Sequence, residues 1–376
     1  MSKILIIVTK GEIGGAQMSV LNLAKKLLSL GQEIIVGLGE GEFLKTELIK
    51  ANLTHHQFRY LKRTHNPLAN LPFIFELKKF IDTQDINVVH FNSSNSLFGA
   101  LGAKLAHRKI KTIFTLRGLS LLDKNYQTNP VLKFFYFLFF KFFLQFIDVK
   151  VFVCRQNLEY AVKINLVKNG EVIYNGLAPD ELRFLPRDES RQFLAQTTSI
   201  DLSNKTIIGS IGRLAYAKNY EFLIEHFPEV IKARPNAIFI IIGNGEEKNK
   251  YQRLITEKKL SDKIFLLAEI KNAYQCINGF DLFVLPSRYE GLSITLIEAL
   301  SSSTPILASN VGGNAELLAN QRELFELNNV TDFINKFMAI TNDVKIKEDV
   351  VKHNNEQSNQ FDINITAKKY LVVYQK

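Results

Sequence analysis

The sequence has 376 residues, of which 46% are hydrophobic and 22% charged; such a chain fits two globular domains of roughly 150–200 residues and is neither fibrous nor disordered. Its two cysteines, Cys154 and Cys276, are too few for a disulfide framework or a cysteine-built zinc site and read as reduced, buried thiols. A net charge of +10 favours an anionic partner, and the lack of any helix-turn-helix, finger or RNA-binding signature leaves phosphorylated small molecules and anionic lipid ahead of nucleic acid.

The N-terminus, MSKILIIVTKGEIGG, runs directly into a strand, so no signal peptide is expected and the protein is assigned to the cytoplasm. Lys3–Val8 is a continuous apolar run, as in a strand buried on both faces of a parallel sheet. Gly11, Gly14 and Gly15 follow, then helical periodicity over Ala16–Leu28. Strand, glycine loop and helix make an anion-binding arrangement, or else a plain tight turn. The spacing is not the dinucleotide fingerprint, and no acidic residue closes the next strand, Glu33–Leu38.

Alternation continues with a strand at Asn87–Phe91, a helix at Ser96–Ala106 and a strand at Lys111–Leu116. Ligands gather at the carboxyl ends of such strands, so His90, Asn92, Ser93, Arg117 and Gly118 should line one crevice. His90 alone is more often a packed structural histidine. Arg117 is the stronger candidate, because a charge leaving a buried strand usually meets an anionic partner.

Pro130–Ile147 carries eight Phe, one Tyr and two Lys. It is short for a membrane span. A basic aromatic helix suits the bilayer interface, with the stretch around Phe134–Phe146 against an anionic surface. The alternative is a helix packed on the sheet. Strands follow at Val149–Val153 and Glu171–Tyr174. The turn-rich Asn175–Pro179 then marks a domain boundary, giving domains of 1–176, completed by 361–376, and 177–360.

The second domain opens with Thr206–Ile211, Gly212 and Arg213, then Lys218 before a helix over Tyr220–Ala233. A planar guanidinium and a mobile ammonium at a strand's carboxyl end suit a diphosphate. Next come strand Ala237–Ile242 with Gly243-Asn244-Gly245, helix Glu247–Lys258, and strand Ile264–Leu267. Strand Leu282–Leu285 stops at Pro286, turns through Tyr289-Glu290-Gly291, and resumes as a helix near Ser293 and Thr295. The free N–H groups and dipole at that helix start would attract phosphate. Glu290 and Glu298, with seven residues between them, repel phosphate but accept hydrogen bonds from sugar hydroxyls. Strand Pro305–Ser309, Gly312-Gly313, a helix at Asn314–Ala319 and a last helix at Ile363–Tyr374 complete the chain. Phosphate flanked by hydroxyl-bearing rings describes a nucleotide sugar.

In this order, Gly14-Gly15, Gly209–Arg213 with Lys218, Gly243-Asn244-Gly245, PSRYEGLSITLIEAL and VGGNAELL resemble family 4 of the glycosyltransferases (glycosyl transferases group 1) across nearly the whole chain. The resemblance implies an α/β chain of the GT-B fold. Two Rossmann-like domains with parallel sheets face a cleft, and the last helix returns to the N-terminal domain from about Phe361. It implies a retaining, metal-independent hexosyltransferase acting on a nucleoside-diphosphate sugar and a glycan or lipid-linked acceptor. The expected setting is cell-surface polysaccharide or lipopolysaccharide biosynthesis, peripheral on the inner face of the plasma membrane.

By position, the resemblance gives Arg213 and Lys218 the donor diphosphate, Glu290 the donor sugar and Glu298 the ribose. Gly291, Leu292 and Ser293 would offer backbone amides, and the backbone at Ile270 would meet the base. Gly14, Gly15, Gly212 and Gly243 would let loops approach the donor. His90, Asn92 and Arg117 would position acceptor or sugar. No Asp-x-Asp motif occurs, and no cofactor or metal is expected. Where many relatives carry Thr-x-His-Gly, this chain has Thr115-Leu116-Arg117-Gly118, so Arg117 would meet a carboxylate or phosphate of donor or acceptor. Other readings keep the fold but change the role, to a nucleotide-sugar epimerase, a sugar phosphorylase, or a non-catalytic nucleotide- or glycan-binding scaffold.

Overall fold

The computed structural model describes residues 2–64 and 66–375. Its strands are β1 (Lys3–Lys10), β2 (Glu33–Glu40), β3 (Thr54–Gln57), β4 (Val88–Phe91), β5 (Lys111–Leu116), β6 (Val149–Phe152) and β7 (Glu171–Val172), then β8 (Thr206–Ile211), β9 (Ala237–Ile242), β10 (Ile264–Leu267), β11 (Leu282–Leu285), β12 (Ile306–Ser309) and β13 (Leu324–Phe325). They form two sheets, β3-β2-β1-β4-β5-β6-β7 and β10-β9-β8-β11-β12-β13. Every described pairing within them is parallel. The chain divides into two compact units, one running to Ala178 and resuming at Phe361, the other Pro179–Gln360.

Buried apolar runs explain the parallel sheets, because crossover helices cover both faces. In β1, Leu5 and Ile7 face one core with Phe91, Phe114 and Phe140. Ile4, Ile6 and Val8 face the other with Val20, Leu27, Ala367 and Tyr370. That is the two-residue side-chain period of a strand, with the last helix, Ile363–Gln375, contributing to the second core. The second unit buries Ile208, Phe239, Ile241, Val284 and Leu307 against Phe227, Phe333 and Phe337.

Several elements depart from expectation. The helix expected over Tyr220–Ala233 is two helices, Tyr220–Glu225 and Phe227–Ala233. Pro228 lacks the N–H of a continuous helix, and its ring would strike the carbonyl four residues earlier. Ser96–Ala106 likewise resolves into a 3₁₀ turn, Ser94–Phe98, and a short helix, Gly99–Lys104. β3 reads THHQ, with no apolar run to announce it, and lies at the sheet edge.

The Phe-rich helix spans Pro130–Leu144. Its inner face buries Phe140, Phe143 and Leu144, while Val131, Leu132, Phe134, Phe135, Leu138 and Phe142 stay exposed. Positions 131, 134/135, 138 and 142 follow helical spacing, so the exposed side chains make one stripe. Lys133 donates to the Asp123 carbonyl at 2.8 Å, and the Lys141 ammonium sits 5.4 Å from the Phe137 ring centre. Among the described residues no helix is long and apolar enough to cross a membrane.

Candidate active site

Each sheet reverses its strand order once, between β1 and β4 in the first unit and between β8 and β11 in the second. Doubly wound sheets bind ligands at the carboxyl ends of the strands flanking such a switch. In the second unit those ends deliver Gly212-Arg213 from β8 and Pro286–Glu290 from β11.

The loop after β8 is stapled to its neighbours. Leu214 N–H donates to the Asn244 carbonyl at 2.9 Å, and Arg288 N–H to the Ala217 carbonyl at 2.8 Å. The Arg288 guanidinium donates to the Tyr216 carbonyl at 2.7 Å, lies over the Tyr216 ring and pairs with Glu221. Gly243 passes so close that a Cβ there would lie 2.1 Å from the Gly212 carbonyl oxygen. These contacts fix Lys218, whose ammonium donates to Glu290 Oε1 at 2.6 Å; Ser287 Oγ donates to the same oxygen at 2.6 Å. Both charged side chains are largely buried, 17% and 12% exposed. Arg213 instead pairs at 2.9 Å with Glu246, both more than half exposed. Such surface pairs are worth under about 1 kcal/mol, so Glu246 holds Arg213 only weakly.

The Glu290 loop is set from the other side by Gly312. Its φ is +51°, and a Cβ there would lie 2.1 Å from the Glu290 carbonyl oxygen. Gly313 N–H donates to the Gly291 carbonyl at 2.8 Å. The helix that follows, Ile294–Leu300, has only seven residues. The full macrodipole expected there is therefore reduced, and the contribution falls to the N–H groups of the first turn. Ser293 Oγ already accepts from Leu296 N–H at 3.3 Å, leaving the N–H groups of Ile294 and Thr295 without intrahelical acceptors. Glu298 sits on this helix with no hydrogen bond to its carboxyl among the described residues. Burial alone pushes its pKa up to about 8. A carboxyl held without a partner in a desolvated position is suited to a donor from outside the chain.

Ile270 lies just beyond β10 and is partly exposed, as is Gly14; Gly14 precedes the helix Gly15–Ser29. Leu292 is buried and Gly212 partly exposed. In the first unit, His90 is taken up by the protein's own side chains. It is fully buried, with Nδ1 2.8 Å from Tyr374 Oη and Nε2 2.7 Å from Thr115 Oγ1. Burial first, then the nearby Arg117 charge, holds its pKa well below 6.5. His90 is a neutral packing group, which corrects its assignment to sugar positioning. Asn92, also buried, serves Arg117: its Oδ1 accepts from that guanidinium at 2.7 Å. Arg117 meets no carboxylate among the described residues; its side-chain partners are Asn175 and Asn92.

Spacing gave no warning of Ser287, Glu246 or Asn175 as partners of Glu290, Arg213 and Arg117. Gly312 was visible as a glycine, but its fit against Glu290 was not. All-parallel doubly wound sheets in both units, with a cationic loop at a switch point, define an α/β chain of the kind that takes ligands at the carboxyl ends of its strands.

The Glycosyltransferase Family 4 model matches residues 13–181, and the Glycosyl transferases group 1 model matches residues 196–357. The chain belongs to family 4 of the glycosyltransferases. It is 25% identical over 366 residues, covering 94% of both chains, to a Campylobacter jejuni N,N'-diacetylbacillosaminyl-diphospho-undecaprenol α-1,3-N-acetylgalactosaminyltransferase. It is 25% identical over 295 residues to an Escherichia coli UDP-Gal:α-D-GlcNAc-diphosphoundecaprenol α-1,3-galactosyltransferase, covering 75% of this chain and 73% of that one. Anabaena HepE in complex with UDP-glucose superposes with a TM-score of 0.82 at 19% identity, over 100% of both chains.

Proposed function

We propose that the protein is a retaining hexosyltransferase moving a sugar from a nucleoside-diphosphate donor to a glycan or lipid-linked acceptor during cell-surface polysaccharide or lipopolysaccharide assembly. The observation that carries this reading is the buried Lys218–Glu290 contact at the switch point, 2.6 Å long, joining loops from β8 and β11. An ammonium, a group able to bind a diphosphate, lies there beside a carboxylate, a group able to accept from a sugar hydroxyl. The lipid-linked acceptor is supported by the diphospho-undecaprenol substrates named for the Campylobacter and Escherichia relatives.

In the proposed reaction the bond from the anomeric carbon to the phosphate oxygen breaks. The acceptor hydroxyl oxygen bonds the same carbon on the same face, and its proton passes to the departing phosphate oxygen. Arg213 and Lys218 stabilise the charge that grows on the leaving diphosphate, usually the largest catalytic contribution. Their charge takes the place of a divalent cation, and no cofactor enters the scheme. Glu290, oriented by Ser287, holds a donor-sugar hydroxyl and is not a nucleophile. Glu298 accepts from the ribose. Gly291, Leu292 and Ser293 offer amides, and Ile270 meets the base. The exposed stripe Val131–Phe142 and the net positive charge rest the protein on the anionic inner leaflet.

A thermal-shift screen of nucleoside diphosphates and their sugars tests the reading. A ligand at 100 times its dissociation constant adds about 2.7 kcal/mol of stability. The expected result is a shift from at least one nucleoside diphosphate that Lys218→Ala abolishes. No shift from any of them would remove the proposal.

A further inference from the structure

Among the described residues, Arg117 leaves β5 into a setting of neutral groups. One terminal nitrogen donates to Asn175 Oδ1 at 2.8 Å and the other to Asn92 Oδ1 at 2.7 Å. Asn92 is held in turn, its amide nitrogen donating to the His90 carbonyl at 3.2 Å. Arg117 Nε is buried and has no acceptor among the described residues. The titratable groups facing the guanidinium are His90, Tyr370 and Tyr374. His90 is held neutral, and burial raises both tyrosines above their ordinary range, so none carries charge at neutral pH. Their polar atoms are engaged with one another, Thr115 Oγ1 bridging His90 Nε2 at 2.7 Å and Tyr370 Oη at 2.8 Å.

An arginine cannot shed its proton to escape burial. A buried charge without a counterion is expensive, and chains normally supply a carboxylate. Here the protein supplies two amides that fix the plane of the fork and leave further N–H groups uncommitted. Such a fork matches a carboxylate or phosphate in two parallel hydrogen bonds. A guanidinium that only capped β5 would need no such planar clamp.

We infer that Arg117 is a specificity-determining residue that binds a substrate oxyanion, either the diphosphate of a lipid-linked acceptor or a carboxylate on the donor sugar. The inference rests on the proposed transfer reaction.

Full-length wild type, Arg117→Gln and Arg117→Lys are compared on one acceptor sugar presented as a short prenyl diphosphate and as a neutral alkyl glycoside. Losing a charge-assisted contact should raise the KM of the diphosphate acceptor by about tenfold to a hundredfold in R117Q. The neutral acceptor's KM should stay within about twofold, and R117K should recover part of the loss. If the oxyanion is on the donor, both acceptors respond alike, and R117Q instead loses a preference for a nucleoside-diphosphate uronate over its neutral hexose. Equal losses for charged and neutral forms of both substrates, or a lowered melting temperature with unchanged discrimination, overturn the inference.

Binding reads the same site without turnover. Farnesyl diphosphate, but not farnesol, should raise the melting temperature of wild type and R117K, and should fail to do so in R117Q. If no sugar is transferred but this diphosphate response persists, the transfer reading fails and the anion site stands. If transfer proceeds and wild type shows neither the diphosphate response nor substrate discrimination, the anion site fails alone. Should R117Q not fold, R117K decides, since only a bound oxyanion makes the fork's loss selective for charged substrates.

Discussion

Glu298 gives the sharpest quantitative expectation. Burial lifts its carboxyl from an ordinary 4.5 to about 8, so at pH 7 it is mostly protonated when no ligand is bound. Ribose hydroxyls donate best to the ionised form, so binding should expel a proton. The unfavourable factor, one plus ten to the power of the pKa minus the pH, falls from about 100 at pH 6 to about 2 at pH 8. Affinity for a nucleoside diphosphate should therefore rise roughly fiftyfold over that interval and flatten above it. Titration calorimetry across pH is the assay, with Glu298→Gln as reference because the ligand's own phosphate titrates nearby. The wild-type to E298Q affinity ratio carries the expected slope. A ratio constant from pH 6 to 8 would refute the reasoning. The same raised pKa has a stability consequence of opposite direction. The unfolded chain loses this proton near 4.5 and the folded one near 8, so Glu298's contribution to stability declines as pH rises between them.

Three other outcomes follow from the geometry. Lys218→Ala should lower kcat by about a hundredfold or more, since one preorganised donor to a developing anion is lost, and steady-state kinetics will show it. Gly312→Ala places a methyl 2.1 Å from the Glu290 carbonyl oxygen at a φ of +51°, so it should reduce turnover while costing on the order of 1–3 kcal/mol in chemical denaturation. Replacing the exposed Phe134 and Phe135 by Ser should abolish flotation with anionic liposomes and leave the melting temperature nearly unchanged; flotation that persists would show the stripe is not the membrane contact.

The alternating architecture was legible because buried parallel strands are written as unbroken apolar runs. Lys111–Leu116, Thr206–Ile211, Ala237–Ile242, Ile264–Leu267 and Leu282–Leu285 fall where those runs lie. β3 could not be read, because an edge strand covered on few sides needs no apolar side chains, and THHQ has none. The Phe-rich helix was ambiguous in sequence because it has both properties, a buried inner face and an exposed outer stripe. At the site, residue types were legible but partnerships were not. Lys218 and Glu290 are 72 positions apart, and only the order of β8 and β11 brings them together. His90 looked ligand-facing from its place at a strand end. Tyr374, 284 residues later on the last helix, takes up its ring nitrogen instead. Asn175 read as a turn residue, so the neutral clamp around Arg117 left no trace in local pattern.

The central claim is sugar transfer with retention from a nucleoside-diphosphate donor, and proton NMR of the anomeric signals during turnover tests it most directly. With an α-linked donor sugar and a lipid-diphosphate acceptor, the account predicts an α-linked product appearing in step with released nucleoside diphosphate, and an unchanged donor when the acceptor is left out. A β-linked product, or a donor sugar that epimerises without acceptor, would contradict it.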